Sequence, residues 1–100
     1  MRRLNGSDLR IFIVDDNANH SAGIKQLLEL QSEYTVVGSA LNGDEAIKRI
    51  PELNIDIVLM DMNMPETDGV SVIQHLMAKD DNLKILALTG YDDPDLIYRA

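Results

Sequence analysis

Arg10-Ile11-Phe12-Ile13-Val14-Asp15-Asp16 is an apolar run that ends on two aspartates, and Asp56-Ile57-Val58-Leu59-Met60-Asp61 ends a second such run on one. Short runs rich in β-branched and aromatic residues read as buried strands. In one parallel sheet, the C-terminal ends of both strands lie at the same edge, and Asp15, Asp16 and Asp61 then meet in one pocket. Like charges a few ångströms apart repel and raise each other's pKa. Such a cluster calls for a neutralising cation, and three hard oxygen ligands suit Mg²⁺. The pattern points to a small acidic metal site with one carboxylate free for chemistry.

Outward from these runs, the chain alternates strand and helix. Asn17 to Leu30 reads as a helix with Ile24, Leu27, Leu28 and Gln31 on one face. Thr35 to Ala40 is strand-like but small at its end, which suits a peripheral strand. Asn42-Gly43-Asp44-Glu45 is a turn feeding a helix through Ile50, stopped by Pro51. Ile55 to Met60 is the most apolar strand and is expected at the centre. Pro65 and Gly69 bracket a loop. Val70 to Ala78 is a helix with Val70, Ile73, Leu76 and Met77 inward, and Lys84 to Leu88 is a fourth strand. Pro94 suits the first turn of a fourth helix, capped by Asp92 or Asp93, so that the chain stops at Ala100 early in that helix. Strict alternation predicts an α/β, doubly wound parallel sheet. Ligands in such folds bind beyond the carboxyl ends of the strands, where the aspartates fall.

Composition narrows the function. One hundred residues make one small domain, and a 45% hydrophobic share is enough for a core, which is aliphatic because only Phe12, Tyr34, Tyr91 and Tyr98 are aromatic. With no cysteine, disulfides and thiolate metal sites are excluded. A net charge of −8 argues against direct nucleic-acid binding by this segment. No stretch has the length of a membrane span, and Met1 to Asp8 lacks the apolar core of a secretory signal, so the expected location is cytoplasmic.

Four motifs, in order and at matching spacing, carry a resemblance to a family: Val14-Asp15-Asp16, Asp61-Met62-Asn63-Met64-Pro65, Asp68-Gly69 and Leu88-Thr89-Gly90. On them the chain resembles the receiver domain of two-component response regulators. The resemblance implies a flavodoxin-like sheet of order 2-1-3-4-5 and a single receiver domain over residues 1–100, incomplete at its C-terminus. It makes Asp61 the phosphoacceptor; a carboxylate can attack phosphorus to give an acyl phosphate. It gives Mg²⁺ to Asp15, Asp16 and Asp61 with the backbone oxygen of Asn63, and makes Thr89 the phosphoryl contact and switch. The implied partner is a histidine kinase or phosphotransfer protein, and the implied role is signalling rather than enzymatic. Val36-Val37-Gly38 and Asn42 to Ala46 are similar to receivers attached to helix-turn-helix DNA-binding domains, which places such an output domain beyond residue 100. The family's lysine, aromatic switch residue and fifth parallel strand would also lie beyond Ala100; Lys79 and Lys84 do not match that lysine.

Met60 is expected in the core, Met62 and Met64 in loop packing. Gly69 is expected to permit a tight turn. His20 and His75 are expected to face solvent, and Asp44-Glu45 and Asp92-Asp93 to be solvated helix starts. Three other readings compete. A flavodoxin would need phosphate-binding hydroxyls where Asp15 and Asp16 stand. A Mg²⁺-dependent phosphohydrolase with an aspartate nucleophile would need an acid at position 63, which is Asn63. A receiver-like interaction module independent of phosphorylation would not need the aspartates. Finally, the fourth strand is expected to present an open edge, and the face around Ile11 and Ile13 to be uncovered, which together predict self-association.

Overall fold

A computed structural model describes residues 9–65, 67–88 and 97–99. The elements are β1 (Leu9–Val14), α1 (Ala18–Leu28), β2 (Tyr34–Ala40), α2 (Gly43–Arg49), a 3₁₀ turn (Ile50–Glu52), β3 (Ile57–Asp61), α3 (Gly69–Lys79), β4 (Lys84–Leu88) and β5 (Ile97–Arg99). The sheet order is β2-β1-β3-β4-β5, with the first four strands parallel and β5 antiparallel to β4. The doubly wound fold and the central place of β3 are as the sequence predicts. Pro51 sits in the 3₁₀ turn that ends α2.

Each helix starts on a side-chain cap. Asn17 accepts the His20 N–H at 3.0 Å, Asn42 the Glu45 N–H at 2.8 Å, and Asp68 the Ser71 N–H at 3.3 Å. Glu45 reaches back to the Leu41 N–H at 3.0 Å. So Asp44-Glu45 does open a helix, as expected, and Glu45 also closes its first turn.

The main core joins Phe12, Val14, Val58, Met60 and Ile85 of the sheet to Ala46 of α2, Ile50 of the 3₁₀ turn and Val72 and Leu76 of α3. Burying a side chain such as Phe12 or Met60 contributes about 1.5–3 kcal/mol. No α1 residue joins this cluster, because α1 lies on the other face, packed on β2 with Ser21 buried.

Several expectations need correction. Ile97–Arg99 is a strand, not part of a fourth helix: β4 has a free ladder on its outer side, and Leu86, Ala87 and Leu88 pair with Arg99, Tyr98 and Ile97 there. That edge is therefore not open over those residues. Ile11 and Ile13 themselves are buried, 3% and 1% exposed, so the face is closed at β1 but not at the neighbouring strands. The thinner cover lies over Ile57, Leu59, Leu86 and Leu88, which are only partly buried on one side of β3 and β4. The paired edge removes one ground for self-association, while the thin cover over β3 and β4 keeps the other. In α1, Leu27 is 68% exposed, because the inward stripe runs through Ser21, Ile24 and Leu28. In α3 the stripe begins at Gly69 and takes in Val72, Ile73, Leu76 and Met77, which leaves Val70 55% exposed.

Glycines mark two close approaches. A Cβ on Gly43 would stand 2.5 Å from a Val72 methyl and 2.9 Å from a Thr67 methyl. Gly69 makes no turn; it is a buried first residue of α3, where a Cβ would meet the Met62 sulfur at 2.6 Å. On the outer strand, the β1–β2 register skips Val37, with Ile11 opposite Val36 and Phe12 opposite Gly38. The missing side chain at Gly38 leaves a window in which the Arg49 guanidinium lies 5.3 Å from the Phe12 ring centroid.

Two substitutions test this packing. The buried Ser21 hydroxyl has no hydrogen-bond partner. Ser21→Ala is expected to stabilise the chain by about 1 kcal/mol, since an orphaned polar group is removed with little change of volume. Gly43→Ala is expected to cost about 1–3 kcal/mol, because both methyls it would strike belong to stiff β-branched side chains. Urea midpoints at unchanged slope measure both.

Candidate functional site

Parallel pairing of β1 and β3 sets Val14 opposite Met60. The next residues, Asp15 and Asp61, therefore emerge side by side at the C-terminal edge of the sheet. Asp15 is still tied to the sheet, its N–H donating to the Ala40 carbonyl at 3.0 Å. Beyond Asp61, the Met62 N–H donates to the Leu88 carbonyl at 2.8 Å. Both aspartates thus stand on backbone held by a neighbouring strand.

One carboxylate oxygen from each of Asp15, Asp16 and Asp61 lies within 4.8 Å of the other two. Their surroundings differ. Asp15 is 2% exposed, Asp61 is partly buried and Asp16 is exposed. Asp15 is anchored at both oxygens: Oδ1 accepts the Asn17 N–H at 2.9 Å, and Oδ2 is met by the His20 Nδ1. Asp61 accepts the Asn63 N–H on Oδ1 at 2.8 Å.

Burial pushes the Asp61 carboxyl above its ordinary value. The Asn63 N–H opposes that rise, while the charge of Asp15, a hydrogen bond with Asp15 and the charge of Asp16 add to it. A cluster with this much uncompensated negative charge, made of hard oxygens at one edge, fits a hard divalent cation.

The structure brings together the three aspartates that the sequence predicts to meet. Asn63 lies beside Asp61, joined to it through its N–H. Thr89, Gly90, Asp92, Asp93 and Pro94 lie outside the described residues. His75 is exposed, as expected. His20 is not a plain solvent-facing residue: its side chain is 52% exposed, yet its ring is on Asp15. The missed signal was helix phase, since capping by Asn17 turns the third helical residue back toward the strand end. Asp56 was also passed over. At the opposite end of the sheet its side chain accepts the Arg10 N–H at 2.8 Å, and its own N–H donates to the Arg10 carbonyl at 2.8 Å. These bonds pin the start of β3 to β1. Among the described residues, no helix is long and apolar enough to cross a membrane.

Comparison with known proteins places this geometry. Residues 11–100 match the family model described as the response regulator receiver domain. The transcriptional regulatory protein DegU of Brevibacillus brevis is 30% identical over 95 residues, which cover 95% of this chain and 40% of that protein. The chain spans less than half the length of the first curated relatives it matches. Among solved structures, a CheX–CheY–BeF3–Mg complex from Borrelia burgdorferi matches with a TM-score of 0.78 at 26% identity, over 85% of this chain and 64% of that one. CheY6 bound to the P1 domain of CheA3 from R. sphaeroides matches with a TM-score of 0.73 at 33% identity, over 84% and 65%.

The raised Asp61 pKa has a definite consequence for stability. A carboxyl that holds its proton more tightly when folded costs nothing below its unfolded value near 3.8. The cost grows as pH rises through the folded value and is then constant. Asp61→Asn is therefore expected to raise the melting temperature at pH 7 in metal-free buffer, with the gain vanishing below about pH 3.8. Thermal melts across pH, in the presence of a chelator, measure it.

Proposed function

The chain belongs to the response regulator receiver domain family, and from that premise we propose that Asp61 accepts a phosphoryl group in a Mg²⁺-dependent signalling reaction. The observation that carries the reading is the meeting of three carboxylates at the end of the central strand. One Asp61 oxygen attacks phosphorus. The bond from phosphorus to the donor's leaving group breaks, and an acyl phosphate forms on Asp61. The Asn63 N–H, already on Oδ1, keeps the carboxylate oriented for attack. Attack needs the ionised form, which burial and the neighbouring charges disfavour. A bound Mg²⁺ supplies positive charge that keeps Asp61 ionised and offsets the charge spread over the phosphoryl oxygens.

Asp15, Asp16 and the backbone oxygen of Asn63 are the proposed cation ligands with Asp61, and Thr89 is the proposed phosphoryl contact and switch. The proposed donor is a histidine kinase or phosphotransfer protein, supported by the CheY6 neighbour seen with the P1 domain of CheA3. The proposed output is a DNA-binding domain, supported by the DegU relative, a transcriptional regulatory protein. The proposed location is the cytoplasm, where such donors act.

Incubation with a small phosphodonor and Mg²⁺ is expected to add one phosphoryl group, read by intact mass, and Asp61→Asn to abolish it. Phosphate that survives this substitution removes Asp61 from the role. Millimolar Mg²⁺ alone is expected to raise the melting temperature by mass action. An equal rise in an Asp16→Ala variant would put the cation elsewhere.

A further inference from the structure

We infer that His20 is a positioning residue for the cation site, holding the Asp15 carboxylate in the orientation that Mg²⁺ binding requires. The inference rests on the reading of Asp15, Asp16 and Asp61 as a cation site. A carboxylate accepts and does not donate, so the His20 Nδ1–H is the donor to Asp15 Oδ2. With the Asn17 N–H on Oδ1, the group is held at both oxygens and cannot turn about its last torsion. Each carboxylate oxygen has two acceptor sites, so one on each oxygen is left for a cation.

His20 can do this because of where α1 begins. Asn17 caps the helix through the His20 N–H, so backbone and ring of one residue are tied to the loop between Asp15 and the helix. Asp61 has one backbone donor, the Asn63 N–H, and otherwise only the neighbouring Asp15 carboxyl, while Asp16 is exposed. Asp15 is thus the fixed ligand around which the other two adjust. Groups that hydrogen-bond to ligating carboxylates set their orientation, and losing one typically costs 10–100-fold in metal affinity. The ring is half exposed and belongs to no core cluster, so its removal leaves the packing intact.

Calorimetric titration of Mg²⁺ into the chain, His20→Ala, His20→Asn and Asp16→Asn, all at one pH, tests this. His20→Ala is expected to bind about tenfold more weakly. His20→Asn, whose amide Nδ2–H takes the place of the Nδ1–H, is expected to recover most of that loss. His20→Ala is expected to melt lower in chelator, because an oxygen of the buried Asp15 loses its donor, and each titration is run well below the variant's own melting temperature, which separates positioning from folding. Equal or tighter binding in His20→Ala, or no recovery in His20→Asn, overturns the role of His20 while leaving the site intact. Absence of Mg²⁺ binding by the unsubstituted chain, or unchanged binding in Asp16→Asn, overturns the cation site itself and the inference with it.

Discussion

The parallel register that sets Val14 opposite Met60 is the constraint on which everything at the acidic edge depends. A slip of one residue would send Phe12 and Val14 to the wrong face of the sheet and part Asp15 from Asp61. The core prevents that slip. Phe12, Val14, Val58 and Met60 are each fully buried in one cluster, so a shifted β1 would turn Phe12 and Val14 out of that cluster and leave it unfilled. At the opposite end, Asp56 bonds to both backbone groups of Arg10 and fixes the same register from below. Hydrophobic burial thus holds together carboxylates that electrostatics alone would drive apart.

On the proposed function, the three aspartates divide the work of a site that binds a cation and still reacts. Asp15 is buried and tied down, Asp61 is partly buried and reluctant to ionise, and Asp16 is open to solvent. A uniformly exposed trio would be well hydrated and would gain little from a cation. A uniformly buried one would take up protons in place of a metal. The gradient of burial suits the proposed roles: one fixed ligand, one that adapts and one nucleophile.

Much of this was legible beforehand, for physical reasons that name particular residues. Apolar runs bounded by aspartates at Asp15-Asp16 and Asp61 were readable because strands buried on both faces are apolar without interruption. The order of elements followed from strict alternation. What escaped depended on phase and on neighbours. Leu27 and Val70 look like inward residues by spacing alone, but caps at Asn17 and Asp68 rotate their helices so that Ser21 and Val72 point in. His20 was missed for the same reason. The short strand Ile97–Arg99 was missed because Pro94 and the aspartates before it favour a helix start locally, while the free ladder of β4 offered a non-local partner. Gly69 resembles a turn glycine by its place after Asp68, whereas its role is steric, set by the Met62 side chain lying over it.

The skipped residue in β2 has a bearing on how the molecule behaves in a crowd. β2 ends the sheet on one side, and an outermost strand is where foreign strands add and fibres start. Templated growth needs a run of evenly spaced donors and acceptors. Here the spacing breaks between Val36 and Gly38, which bends the strand and deepens its twist. Just past the break, the Arg49 side chain donates to the Ser39 carbonyl and consumes an acceptor a stranger would need. A feature that first looks like an accommodation of one phenylalanine ring therefore doubles as a barrier to polymerisation.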